Sequence, residues 1–160
     1  MNRKELLIQG WDNALENEGW YPPLGAALEG VDAAKAVWRP VGEAANTIWE
    51  TVNHLTVYKE IVYKRLLGQE APYPGSNDDT FIVGEGEEAW RQAVERLYRV
   101  HREIRGLLDG YGEKELDSEL SSQTVGEFIH NLILHDAFHT GQIILVRKLQ
   151  GSWPSQRSFS

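Results

Sequence analysis

Residues 124–150, reading TVGEFIHNLILHDAFHTGQIILVRKLQ, constrain this chain more than any other stretch, because they describe a capped helix with imidazoles set into its apolar face. Thr124 with Glu127 three residues on is a capping-box start, and Gly151 followed by Trp153-Pro154 is a stop. Between them Phe128, Leu132, His135, His139, Gln142 or Ile143, and Val146 recur at the three- and four-residue steps of one helix face. Imidazoles four residues apart lie one turn above each other and can aim at a single divalent ion; hydrogen-bonded core histidines occupy such positions too. His130 falls on a different face and takes no metal role.

The local string His135-Asp136-Ala137-Phe138-His139 invites comparison with the metalloprotease helix, where an acid follows the first ligand and acts as general base. That arrangement takes its third ligand downstream, and no His, Asp or Glu follows His139 in this chain. The third ligand has to lie upstream, and the protease reading falls.

At 160 residues, 41% hydrophobic and 25% charged, the chain is expected to form a single domain over residues 1–160. It contains no cysteine, which excludes disulfides, thiolate ligands and a cysteine nucleophile, so any sulfur chemistry uses a thiol supplied from outside. The formal net charge of −8, with Lys and Arg scattered among acids, disfavours nucleic acid and anionic membrane as partners. No apolar run approaches a membrane span, and Met1-Asn2-Arg3-Lys4 leads into an amphipathic segment, so the expected location is the cytoplasm.

Along the chain, Leu6, Leu7, Trp11, Ala14 and Leu15 predict a first helix within residues 2–18, ended by Gly19 and Pro22-Pro23. Prolines and glycines break residues 20–45, leaving room for one short helix over 31–38. Trp20, Tyr21 and Trp38 are expected to pack over the core or to wall a pocket. Asn46 or Thr47, the latter boxed with Glu50, starts a second helix that Gly68 closes. Its stripe is Ile48, Thr51, Val52, Leu55, Tyr58, Ile61, Val62 and Leu66, and His54 lies at the edge of it. Residues 69–86 read as a long connection, able to span a helix on the order of 33 Å and so to let the third helix run parallel to the second. The third helix, about residues 85–109, repeats Trp90, Val94, Leu97, His101, Ile104 and Leu108 and stops at Gly110. His101 is there either a hydrogen-bonded core imidazole or a fourth ligand or proton shuttle. Gly84-Glu85-Gly86 is no phosphate loop, and the pattern shows neither strand hairpins nor repeats.

Four long amphipathic helices most economically close into a four-helix bundle, and bundles build metal sites from inward residues of facing helices. His54, His135 and His139 are the natural three-ligand set. His54-Leu55 after Asn46-Thr47-Ile48-Trp49-Glu50, with His135-x-x-x-His139-x-Gly141-Gln142, resembles the DinB/YfiT-like superfamily. The similarity extends over essentially the whole chain, including Tyr21-Pro22-Pro23-Leu24 and Trp38-Arg39-Pro40. It implies an all-α four-helix bundle in up-down-down-up order, with a long crossover between helices 2 and 3. It also implies a homodimer and a three-histidine site for zinc or nickel on His54, His135 and His139. Phe138 and Thr140 stand where the family often has a basic or second aromatic-ring residue. Some members resemble thiol S-transferases using bacillithiol, mycothiol or glutathione, and others are regarded as hydrolases.

Three neutral imidazoles leave an ion its full charge and at least one open position, the arrangement of a catalytic site. The leading expectation is a metal-dependent S-transferase joining a low-molecular-weight thiol to a small electrophile. Asp136, or else His101, then accepts a proton or orients an imidazole, and Gln142 and Tyr58 contact the cofactor. Gly141 is expected to permit close helix approach. The alternatives are a metal-dependent hydrolase of a small amide or ester and a non-catalytic, stress-associated metal-binding or dimerisation module. Specificity is expected to reside in residues 20–40 and 69–86.

Overall fold

The computed structural model describes residues 1–42 and 44–156. Helix α1 (Arg3–Leu15) starts from a capping box that sequence reading passed over: Asn2 Oδ1 accepts from the Glu5 backbone N–H, and Glu5 accepts from that of Asn2. Two short helices follow, α2 (Leu24–Leu28) and α3 (Ala33–Val37); α3 falls within the one expected over 31–38, and α2 is additional. Gly30 at φ 70° separates them, and Asp32 caps α3 by accepting from the Lys35 N–H at 2.8 Å. Trp20 is 105% exposed and packs on nothing, against expectation; Tyr21 is half-buried and Trp38 36% exposed.

Helix α4 (Ile48–Leu66) begins with the Thr47/Glu50 box and ends at Leu67 before Gly68, whose φ of 74° is the left-handed conformation glycine adopts at no steric cost. Within the connection after it, Asn77–Phe81 form a 3₁₀ turn capped by Ser76 and Asp79. Helices α5 (Gly86–Gly110) and α6 (Glu113–Leu116) come next, then a two-stranded antiparallel ladder, β1 (Glu119–Leu120) with β2 (Gln123–Thr124). This ladder corrects the expectation of no hairpin; two-residue strands turning through Ser121 at φ 70° are too short to leave a period-two pattern. Helix α7 (Val125–Leu149) carries the Thr124/Glu127 box and stops at Gly151, φ 76°. None of the described helices is long and apolar enough to cross a membrane.

Among the described residues the protein is all-α apart from that ladder. Helix α4 packs against α5 and α7, and α1 against α7 and α5. Apolar side chains gather in two clusters. One joins Leu15, Leu24, Ile48, Trp49, Leu55, Trp90, Leu97, Ile143 and Val146; the other joins Leu7, Trp11, Val62, Ile104, Leu108, Phe128, Ile129 and Leu132. Along α4 and α7 the two are separated by a polar level, where Lys59 and Asp136, both 0% exposed, form an ion pair. Trp11 closes this level from α1: its Nε1–H donates to the His101 carbonyl at 3.1 Å, its ring stacks on the His101 imidazole, and Lys59 Nζ lies 5.4 Å from its centre. His135 and His139 of α7 and His54 of α4 sit at the same level.

Candidate metal centre

His54 belongs to α4, His135 and His139 to α7, and the contact between these two helices brings the three together. His54 is 5% exposed and His139 7%, with His135 half-buried. The sequence expectation that His54 sits at a stripe edge is thus corrected: the turn at Asn77–Phe81 covers it, with the Phe81 ring stacked 4.4 Å away at 6°.

His54 Nε2 and His139 Nε2 each lie 3.0 Å from His135 Nε2, and the ligand atoms of the three all fall within 4.8 Å of one another. The other ring nitrogens decide the tautomers. Thr80 Oγ1 donates to the Asn77 carbonyl at 2.6 Å, so it can only accept from His54, whose Nδ1–H points at it from 2.6 Å. His139 Nδ1–H donates to Gln142 Oε1 at 2.6 Å. Both imidazoles therefore present an Nε2 lone pair to His135 Nε2, which carries one proton at most and can satisfy only one of them. A divalent cation satisfies all three. Nitrogens 2.0–2.1 Å from a tetrahedral zinc stand about 3.3 Å apart, within a few tenths of an ångström of the two spacings found here. The residues present fit a metal.

Electrostatics points the same way. Burial, with the charge of His139 next, pushes His54 down to about 4. Burial and the neighbouring His139, His54 and Lys59 push His135 down to about 3. His139 is lowered by burial, against the opposing pull of the Gln142 hydrogen bond and Asp136. All three are neutral and ready to coordinate across the physiological range. The sign for stability follows. Unfolded histidines take up protons below about 6.5 while these do not, so the metal-free fold keeps its stability above that pH and loses it progressively as pH falls towards about 4 and 3. Urea denaturation of metal-free protein from pH 8 to pH 4 is expected to show midpoints flat above pH 7 and falling below 6.5; midpoints that rise on acidification would contradict it.

Asp136 is wholly buried. One carboxylate oxygen accepts from Lys59, the other has no protein partner, and the residue does not line the cavity beside the histidines. Burial raises its pKa, against the pull of Lys59 and His139. His101, 2% exposed and held far below its usual pKa by burial and Lys59, stacks on Trp11 at 4.4 Å and is not among the converging three. Gln142, exposed, reaches the site through His139, and Tyr58 stands edge-on to His54 and His135 with ring centres 4.9 and 5.4 Å away. Gly141 departs from expectation: a Cβ there would meet nothing within 4 Å, so none of the described helices packs closely against it.

Sequence reading missed Thr80, Phe81 and Lys59. Ser76-x-x-Asp79 was the available signal for the turn that delivers the first two, and Lys59, placed between Leu55 and Val62 on the apolar face of α4, was the signal for the third. Replacing Gln142 by Ala or Thr80 by Val frees an imidazole to rotate, and each is expected to weaken zinc binding by roughly 10–100-fold in competition with a chromogenic chelator. Unchanged affinity in both would show that these hydrogen bonds do not orient the ligands.

The ligand set opens on a cavity of about 550 Å³ walled by Tyr58, Tyr73, Phe81 and Phe128, with Asn77, Gln123 and Asn131 among its polar groups. The family model of the DinB superfamily matches residues 24–143, well over half of the chain and inclusive of the three histidines; α1 lies outside the match. A search of curated proteins finds no match.

Proposed function

Because the chain belongs to the DinB superfamily, we propose that it is a metal-dependent enzyme in which His54, His135 and His139 hold one divalent ion, zinc or nickel, beside a substrate cavity. The observation that carries this reading is the convergence of two committed Nε2 lone pairs on a third imidazole nitrogen at 3.0 Å. The reaction we assign is S-transfer: a low-molecular-weight thiol loses its S–H proton, and its sulfur forms an S–C bond with a small electrophile. As that bond forms, the bond to the electrophile's leaving group breaks and the group departs with the bonding pair, as chloride does from monochlorobimane. When bound, such an ion supplies Lewis acidity that lowers the pKa of a thiol or water at its open position.

The chain's own residues supply the rest. Thr80 and Gln142 lock the ring orientations, and Phe81 and Tyr58 shield the imidazoles from bulk water. No cysteine is present to serve as nucleophile, which favours a thiol that arrives from solution. Asp136 is committed to Lys59 and Asp136 and His101 both lie off the cavity, so in this reading the thiol proton leaves through the open mouth to solvent. Zinc- or nickel-loaded protein is expected to consume monochlorobimane in a thiol-dependent manner, and His139→Ala to lose that activity. Consumption that needs no thiol, or ester cleavage indifferent to it, would replace this reading with the hydrolase.

We propose the four long helices as an up-down-down-up bundle with the 67–85 connection as its crossover. The supporting observation is that Leu15 and Val146, near the C-terminal ends of α1 and α7, share a cluster with Ile48 and Trp90, near the N-terminal ends of α4 and α5. A homodimer through the outer face of α7 belongs to the same proposal. Leu134, Phe138, Leu145 and Leu149 are 54–62% exposed there, an apolar stripe that solvent does not favour. Two antiparallel copies centred between Gly141 and Gln142 set Phe138 on Leu145 and Leu134 on Leu149, with the open space at Gly141 at the crossing, as a self-complementary twofold contact requires. Light scattering is expected to give the dimer mass for the wild type and the monomer mass for Leu145→Glu with zinc binding retained; a monomeric wild type would end this part of the proposal.

A further inference from the structure

From the cavity beside the histidines we infer the class of its occupant: an uncharged, aromatic-bodied electrophile with one neutral polar group. This rests on that cavity being the substrate chamber of the proposed enzyme. None of its lining residues is Lys, Arg, Asp or Glu, although the chain as a whole is 25% charged. Four other surface cavities each include charged side chains, Glu16 and Glu29 in one, Arg99 and Glu103 in another, Arg65 and Glu70 in a third, Arg3 and Glu127 in a fourth.

The wall is a lane of rings running outward from the ligands. Phe81 lies flat on His54, Tyr58 meets His54 and His135 edge-on, and Tyr73 continues from Tyr58 at 5.9 Å between centres. Rings of this kind reward a planar apolar body with offset and edge contacts beyond area burial. Beyond the imidazoles and the tyrosine hydroxyls, the polar groups in the wall are carboxamides. Asn77 accepts from the Tyr58 hydroxyl at 3.1 Å, and Asn131 donates to Gln123 at 3.2 Å; amides of this type can donate to or accept from a carbonyl, hydroxyl or amide on a ligand without demanding a charge.

Apart from the ion that the three histidines would hold, whose open position the thiol takes, a charged ligand finds no counter-ion in this wall. The nearest strong charges behind the histidines, Lys59 and Asp136, already neutralise each other at 0% exposure. Arg65 lies over the Tyr73 ring at 4.3 Å, donates to the Ala71 carbonyl, and is not part of the lining. An ionised group taken into the chamber away from that position loses hydration without gaining a partner. The carboxylates of a thiol co-substrate therefore stay outside in water, and the chamber itself takes the electrophile. Its volume, about 550 Å³, is in the range that encloses small drug-sized molecules.

Three probes of one shape test this on the metal-free full-length protein: naphthalene-2-carboxamide, 2-naphthoate and 2-naphthylmethylammonium, each titrated by its own fluorescence. The carboxamide is expected to bind at least about tenfold more tightly than either ion. Asn131→Lys, at an exposed position of α7, is expected to bring 2-naphthoate up to or past the carboxamide, and Gln123→Lys provides the same change from β2. Either ion binding as tightly as the carboxamide, no binding of any probe, or no response to both lysine variants overturns the inference. Zinc binding is titrated on the same preparations. Zinc binding without discrimination rejects the substrate class and leaves the metal reading standing, whereas discrimination without zinc binding upholds the class and rejects the metal.

Discussion

Asp136→Leu is expected to destabilise the protein by about 3–5 kcal/mol, because it leaves Lys59, 0% exposed, as a buried cation without its counter-ion. At about 2–4 °C per kcal/mol for a chain of this size, the Tm falls by roughly 6–20 °C. The pair joins α4 to α7 between the two apolar clusters, at the level of the three histidines, so the loss also loosens the register in which the ligands meet. Exchanging both partners at once, Lys59→Met with Asp136→Leu, removes the unpaired charge and is expected to restore most of the stability. Denaturant titration of the two single variants and the double variant decides it: a single-variant loss below about 1 kcal/mol would mean that the ion pair is not buried as the structure has it.

Zinc is expected to produce the second large effect. A ligand that binds only the folded state at about a thousand times its Kd stabilises it by about 4 kcal/mol, which here raises the Tm by roughly 8–16 °C. His135→Ala separates binding from packing, since His135 is half-buried while His54 and His139 are almost fully so. That variant is expected to match the metal-free wild type in Tm and to show little or no rise on adding zinc. A full rise in His135→Ala would place the ion elsewhere.

Local chemistry made much of this legible in advance. Capping boxes at Thr47/Glu50 and Thr124/Glu127, and glycines just past Leu67 and Gln150, are short-range signals, and the helices begin and end within a few residues of where they predict. His135 and His139 could be paired for the same reason: four residues on one helix face determine their relation without knowledge of the rest of the chain. The converse holds where an atom's neighbour comes from far along the sequence. His54 reads as an edge residue until the turn at Asn77–Phe81 folds over it, and Ser76-x-x-Asp79 marks that turn without revealing that it brings Thr80 and Phe81 onto His54. Lys59 and Asp136 each stand on an apolar helix face, a visible anomaly, yet their 77-residue separation hides the partnership until α4 and α7 are packed. Gly141 shows the limit from the other side, since its small size suggested a close contact that this chain does not make.

The claim on which everything else depends is that three imidazole nitrogens share one ion. Anomalous diffraction at the zinc edge from crystals of tag-free, zinc-loaded protein tests it most directly. The geometry predicts a single strong peak about 2.0–2.1 Å from Nε2 of each of His54, His135 and His139, with its fourth side facing the cavity of Tyr58 and Phe81. No peak among these nitrogens, or one touching His135 alone, would contradict it.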